Sequence, residues 1–168
     1  MKKKNKDSLD NCEEKYDFME VAASLAKENV VSGLGGPFGA VIVSNNKIIG
    51  CGQNKVTLNN DPTAHAEIVA IRAACVNLGT FKLKNCVIFS SCEPCPMCFS
   101  AIHWARIETI YFAKSRWDAE KIGFDDAELY DEVRKSSDQR KMTMIHLPNK
   151  VATAAFSEWE NKVDKICY

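Results

Sequence analysis

Four side chains in two short motifs have the types and spacing for metal chemistry. His65 and Glu67 lie in Pro62-Thr63-Ala64-His65-Ala66-Glu67, and Cys95 and Cys98 lie in Pro94-Cys95-Pro96-Met97-Cys98. One imidazole and two thiolates make three ligands. Zinc held by three protein ligands keeps its fourth tetrahedral position for water, the catalytic arrangement, whereas a structural site fills all four. Two thiolates already balance the charge of the metal, so the water is less acidic than over three histidines and a carboxylate must take its proton. Glu67 fits that role. Cys92 is a conceivable fourth ligand, but it precedes the helix whose first turn carries Cys95 and Cys98, and it reads as a packed thiol at a strand end. A lone Cys-x-x-Cys could be redox-active or merely packed; its combination with His-x-Glu, each opening a helix, points to catalytic zinc.

The two motifs meet only if two helix starts converge. From Ala64 to Leu78 nearly every residue is apolar, with Glu67 and Arg72 the charged exceptions, which predicts a helix sandwiched in the core. An ionised carboxylate buried there costs on the order of several kcal/mol unless it is paired, which marks Glu67 as functional. His65 and Glu67, two apart, share no helix face, but at the N-terminus both can converge on a point beyond the helix end. Thr63 reads as the N-cap and Gly79 as the stop. A second such start is predicted at Pro96, with a helix to about 106. Partial positive charge at both helix starts favours thiolates and a bound hydroxide.

Around these lie a capping box at Asp17 and Glu20 opening a helix that ends before Gly33, a glycine loop over 33–37, and a hairpin of strands 38–43 and 47–50. Strands are predicted at 86–90 and 109–113, further helix starts at Ser115 with Asp118 and at Asp125 with Glu128, a last strand over 142–147, and a final helix over 152–162. Alternating strand and helix after an antiparallel hairpin predict an α/β fold: a three-layer mixed sheet with helices on both faces. Residues 1–15, rich in lysine and acidic residues, read as a disordered tail, and 16–168 as one domain.

The chain has 168 residues, 46% hydrophobic and 26% charged, as expected of a folded globular domain. Its 22 basic and 22 acidic side chains cancel, which argues against a general nucleic-acid or membrane-surface binder. The charged start lacks the apolar core of a signal peptide, and no apolar run is long enough to span a bilayer. The expected compartment is therefore the reducing cytoplasm, where most of the eight cysteines act as small buried hydrophobes.

The motifs together resemble the zinc-dependent cytidine deaminase superfamily and, within it, the small guanine deaminases. The resemblance rests on Gly36-Pro37-Phe38-Gly39-Ala40, Asn60-Asp61-Pro62-Thr63-Ala64-His65-Ala66-Glu67, Ser91-Cys92-Glu93-Pro94-Cys95-Pro96-Met97-Cys98, Trp104-Ala105-Arg106 and Gly123-Phe124-Asp125-Asp126. It covers the chain from about Tyr16 to Tyr168. It implies zinc on His65, Cys95 and Cys98, with Glu67 shuttling protons while guanine becomes xanthine and ammonia leaves. It also implies Phe38 and Trp104 as walls for the flat base, Asn54 as a hydrogen-bonding contact, and Asp126 as acceptor for the N–H groups of a guanine-like edge. On their own, Phe38 and Trp104 read as core aromatics, Asn54 as a turn residue and Asp126 as a helix-start residue. The family further implies a homodimer with exchanged C-terminal segments, Tyr168 of one subunit capping the other's site; the apolar stripe Val151, Ala154, Ala155, Phe156 and Trp159 is a surface in need of a partner. The competing readings are a guanosine deaminase, a deaminase of adenosine in transfer RNA, and a noncatalytic zinc module.

Overall fold

In the computed structural model, which describes residues 7–124 and 126–167 and side chains from Asp17 onward apart from Ala127, four strands form one mixed sheet in the order β2-β1-β3-β4. Strands β1 (Gly39–Ser44) and β2 (Lys47–Gln53) form the expected hairpin. Its two connecting residues, Asn45 and Asn46, have φ of 48° and 56°. Asparagine tolerates that left-handed region, and such a turn matches the twist of the strands it joins. Strand β3 (Val87–Cys92) runs antiparallel to β1 and parallel to β4 (Thr109–Lys114). A parallel pair needs a crossover, and here it contains helix α4 (Pro96–Trp104).

Successive side chains of β1 point to opposite faces and so build two cores. Val41, Val43 and Phe89 pack with Ala22, Phe18 and Leu25 of helix α1 (Asp7–Val31) on one face. On the other, Ala40, Ile42 and Ile88 pack with Ala66, Ala70 and Ala74 of helix α3 (Ala66–Leu78) and Ile102 of α4. The layers are helix, sheet, helix, as the sequence predicts. The seam between β2 and α3 is unusually close. A Cβ at Gly50 would meet the Ala74 nitrogen at 2.8 Å, and one at Gly52 would meet the Ala70 nitrogen at 2.6 Å, so only glycine lets the alanine face of α3 lie on the strand.

Several expectations need correction. Helix α1 begins at Asp7, ten residues before the Asp17 capping box, and so takes in much of the segment read as a disordered tail. Nothing over 7–16 breaks a helix. Residues 1–6 of that tail lie outside the described residues. Helix α3 starts at Ala66 rather than after Thr63, because the Thr63 hydroxyl and amide both donate to Asp61 Oδ1, at 2.6 and 2.8 Å, in a local turn. Nor is α3 buried all round: Ala66, Glu67, Ala70 and Ala74 are buried, while Val76 and Leu78 are exposed. Gly79 ends it as predicted, at φ 64°, with its amide bonded to Cys75 and Val76 carbonyls. A single helical turn, α2 (Val56–Asn59), occupies part of the stretch read as loop.

Helices α5 (Arg116–Glu120) and α6 (Ala127–Arg134) follow β4, the first with the expected Ser115–Asp118 capping box. The Asp125 cap lies outside the described residues. The chain divides into two compact units between Tyr130 and Asp131. The sheet, helices α1 to α5, the start of α6 and the motif residues belong to the first. In the second, residues 142–147 form no strand, and α7 (Lys150–Asn161) starts at Asn149, whose Oδ1 accepts from Val151 and Ala152 amides. None of the described residues over 131–167 is buried, so this unit has no apolar core of its own to hold a strand in register.

Candidate active site

His65 is the N-cap residue of α3 and Cys95 that of α4, both in extended backbone just outside the first turn. Pro96 at the first position of α4 suits a site where no intrahelical N–H is needed. Cys98 follows in the first turn, fully buried. The ligand atoms of His65, Cys95 and Cys98 lie within 4.8 Å of one another, and Cys95 Sγ stands 3.6 Å from His65 Nδ1. Ligand bonds of about 2.0–2.3 Å around a tetrahedral zinc put neighbouring donors at about such separations, so the set fits the metal. Hydrogen bonds from Cys98 and His65 hold Cys95 down at about 4, as the thiolate a metal takes, whereas the bond to Cys95 and burial push Cys98 up. The bond to Cys95 raises His65.

Cys92 is not part of this group. Its Sγ turns to the Ser115 carbonyl, 3.6 Å away, and burial pushes it up to about 11, in keeping with a packed thiol at the end of β3.

Glu67, one turn-residue behind Ala66, is only 6% exposed. Its Oε1 accepts from the Ser90 hydroxyl at 3.2 Å, and burial raises its pKa. A carboxyl kept out of water and beside metal ligands is suited to exchanging a proton rather than holding a fixed charge.

These groups face a cavity of about 510 Å³ in which His65, Glu67 and Cys95 share the lining with Phe38, Asn54, Phe124 and Asp126. Phe38 and Phe124 meet edge to face, with ring centroids 4.7 Å apart at 87°. Asn54 is 7% exposed and fixed at the end of β2, its Oδ1 accepting from the Val56 amide at 3.3 Å. Phe38, Asn54 and Asp126 therefore line the cavity together. Trp104 does not: it stands at the far end of α4, 57% exposed, with the Arg106 guanidinium 5.9 Å from its ring, and does not line the cavity of its own chain. Its place near a metal motif in sequence is undone by the length of α4, since six residues of helix beyond Cys98 rise about 9 Å. Tyr168 lies outside the described residues. Phe124 and Glu93 also line the cavity and were not singled out as site residues; the sequence signal for Phe124 was its place next to the acidic pair in Gly123-Phe124-Asp125-Asp126. Tyr130 was missed as well. Its hydroxyl donates to the Pro94 carbonyl at 3.0 Å, tying α6 to the cysteine loop.

Residues 12–114 match the family described as "Cytidine and deoxycytidylate deaminase zinc-binding region". A guanine deaminase of Bacillus subtilis (strain 168) is 46% identical over 148 residues, 88% of this chain and 95% of the relative. The X-ray structure of guanine deaminase from Bacillus subtilis superposes with a TM-score of 0.87 at 45% identity, covering 91% of this chain and 98% of the other. A tRNA-specific adenosine deaminase of Buchnera aphidicola subsp. Schizaphis graminum is 43% identical over 88 residues, 52% of this chain and 58% of the relative. The fold is that of the cytidine deaminases. The paired helix starts, the His-Cys-Cys triad and the buried carboxyl beside it are thus those of a zinc-dependent deaminase, a hydrolase of C–N bonds, and the chain belongs to the cytidine and deoxycytidylate deaminase zinc-binding family.

Proposed function

We propose that the protein deaminates guanine to xanthine and ammonia. One observation carries this reading: similarity to guanine deaminase runs over 88% of the chain and so includes much of the segment beyond Lys114, where the family match ends. That segment supplies Phe124 and Asp126 to the cavity. The similarity to a tRNA-specific adenosine deaminase spans only 52% of the chain.

His65, Cys95 and Cys98 would hold the zinc, which makes water nucleophilic near neutral pH. Phe38 and Phe124 offer apolar ring surface to a flat base. The Asn54 amide and the Asp126 carboxylate supply polar contacts, the latter accepting from the N–H groups of a guanine edge. Glu67 takes a proton from the attacking water and delivers it to the ring nitrogen beside the amino-bearing carbon. As the C–N bond breaks, the same carboxyl passes the water's remaining proton to the departing nitrogen. Water and guanine go in, xanthine and ammonia come out, and Glu67 ends as it began.

The test is an ammonia-release panel over guanine, guanosine, adenine, cytosine and transfer RNA. Guanine is expected to give the highest kcat/KM. Asp126→Ala should lower kcat/KM for guanine by about a hundredfold, as expected when a charged acceptor for the base is lost, with zinc content unchanged. A wild-type preference for transfer RNA or cytosine overturns the substrate assignment and leaves the chemistry standing.

The working form in this reading is a homodimer in which the C-terminal segments are exchanged and Tyr168 closes the partner's site. Support comes from the second unit, which has no buried residue among those described, and from α7, where Val151 and Phe156 are 78% and 81% exposed. Mixing a Glu67→Ala chain with one truncated before Tyr168, each inactive alone, should restore up to about a quarter of wild-type activity if tails are exchanged. No recovery after proven subunit exchange means each tail serves its own core. In this reading the protein works in a reducing compartment, which would keep the seven cysteines with described side chains as the free thiols they are.

A further inference from the structure

Asn29 belongs to none of the motifs, yet it is the largest fully buried polar side chain, 1% exposed near the end of α1. Burying an amide is costly unless its polar atoms are paired. Here Nδ2 donates to the Gly36 carbonyl at 2.9 Å and to the Asn54 carbonyl at 2.8 Å. The two acceptors come from separate segments, the glycine loop before β1 and the end of β2. Backbone bonds carry the connection onward: Phe38 N–H to the Gly36 carbonyl at 2.8 Å, Asn54 N–H to the Phe38 carbonyl at 3.1 Å, and Lys55 N–H to the Ala64 carbonyl at 2.8 Å. The amide of Asn29 is thus the joint at which two cavity-lining residues, Phe38 and Asn54, are held at a fixed spacing. Gly35 fits the same purpose, since a Cβ there would fall on the Asn54 carbonyl and stand 2.7 Å from Asn29 Nδ2.

We propose that Asn29 is a positioning residue for base binding, fixing Phe38 against Asn54 from behind the cavity wall. The inference rests on the reading of those two as contacts to the base. A residue needed only to fill the core could be apolar; an amide with both protons spent on two loop carbonyls sets a distance instead.

Two variants reach the joint from opposite sides, Asn29→Ser by removing the forked donor and Gly35→Ala by wedging it apart. Each is expected to raise KM for guanine about tenfold or more while kcat stays within about threefold. Zinc should stay at one per chain, and amide hydrogen exchange at Asn54 and Lys55 should accelerate. A merely structural role would lower the folded fraction and the melting temperature but leave KM untouched, and KM is independent of how much of the preparation is folded. Unchanged KM in both variants overturns the inference, whatever the exchange rates show. If the wild type releases no ammonia from guanine, the substrate reading fails on its own, KM is measured with whichever panel substrate is active, and the exchange rates still decide whether Asn29 holds the joint.

Discussion

Glu67→Gln should retain its zinc and lose about a thousandfold or more in kcat, with KM little changed. The amide has the same shape as the carboxyl, can still accept from Ser90 in the buried pocket behind the cavity, and leaves all three metal ligands in place. What it lacks is the ability to take and return a proton, and proton transfer by a positioned group contributes about 10²–10⁴ in rate. Here the same group serves both transfers, which places the loss toward the upper end. Metal analysis and steady-state ammonia release on one preparation check this. A rate within tenfold of wild type removes Glu67 from the proton path.

Cys98→Ala should reduce zinc from about one per chain to a trace, abolish turnover and lower the melting temperature. The side chain is fully buried, and alanine removes only its sulfur atom, a small loss of packing next to the loss of a ligand. The loss of stability should therefore come from the metal, whose binding energy is also folding energy in a site built from two helix starts. The control is wild-type protein stripped with a chelator, expected to melt close to the variant. Full zinc stoichiometry in Cys98→Ala overturns the ligand assignment. A variant melting far below the stripped wild type assigns the loss to packing instead.

The metal site was legible in the sequence because its requirements are local. A ligand at each helix start and a carboxyl in an apolar run are visible as spacing, and His65, Glu67, Cys95 and Cys98 converge as expected. Helices on both faces of a mixed sheet were legible too, from strands and helices that alternate after a hairpin. What was not legible depends on contacts between distant segments. Asn29 looks like any polar residue on a helix until Gly36 and Asn54 close around it. Thr63 is a sound N-cap by type, but Asp61 competes for its hydroxyl. Trp104 follows a metal motif in sequence, and only the direction of α4 carries it off. The run 142–147 has the composition of a strand, yet a strand exists only where another one pairs with it.

The close seam between β2 and α3 has a bearing on how such enzymes change. Gly50, Gly52 and the alanines above them have no room for a larger side chain, so mutations there are removed by loss of fold before any new activity can be tried. Phe38, Phe124 and Asp126, which line the cavity, lie outside every strand and helix, where substitutions are better tolerated. Inheritance of the hydrolytic core and divergence of the substrate are thereby assigned to different parts of the chain. Relatives acting on a free base and on transfer RNA can keep the same helix starts while this lining is rewritten, one loop at a time.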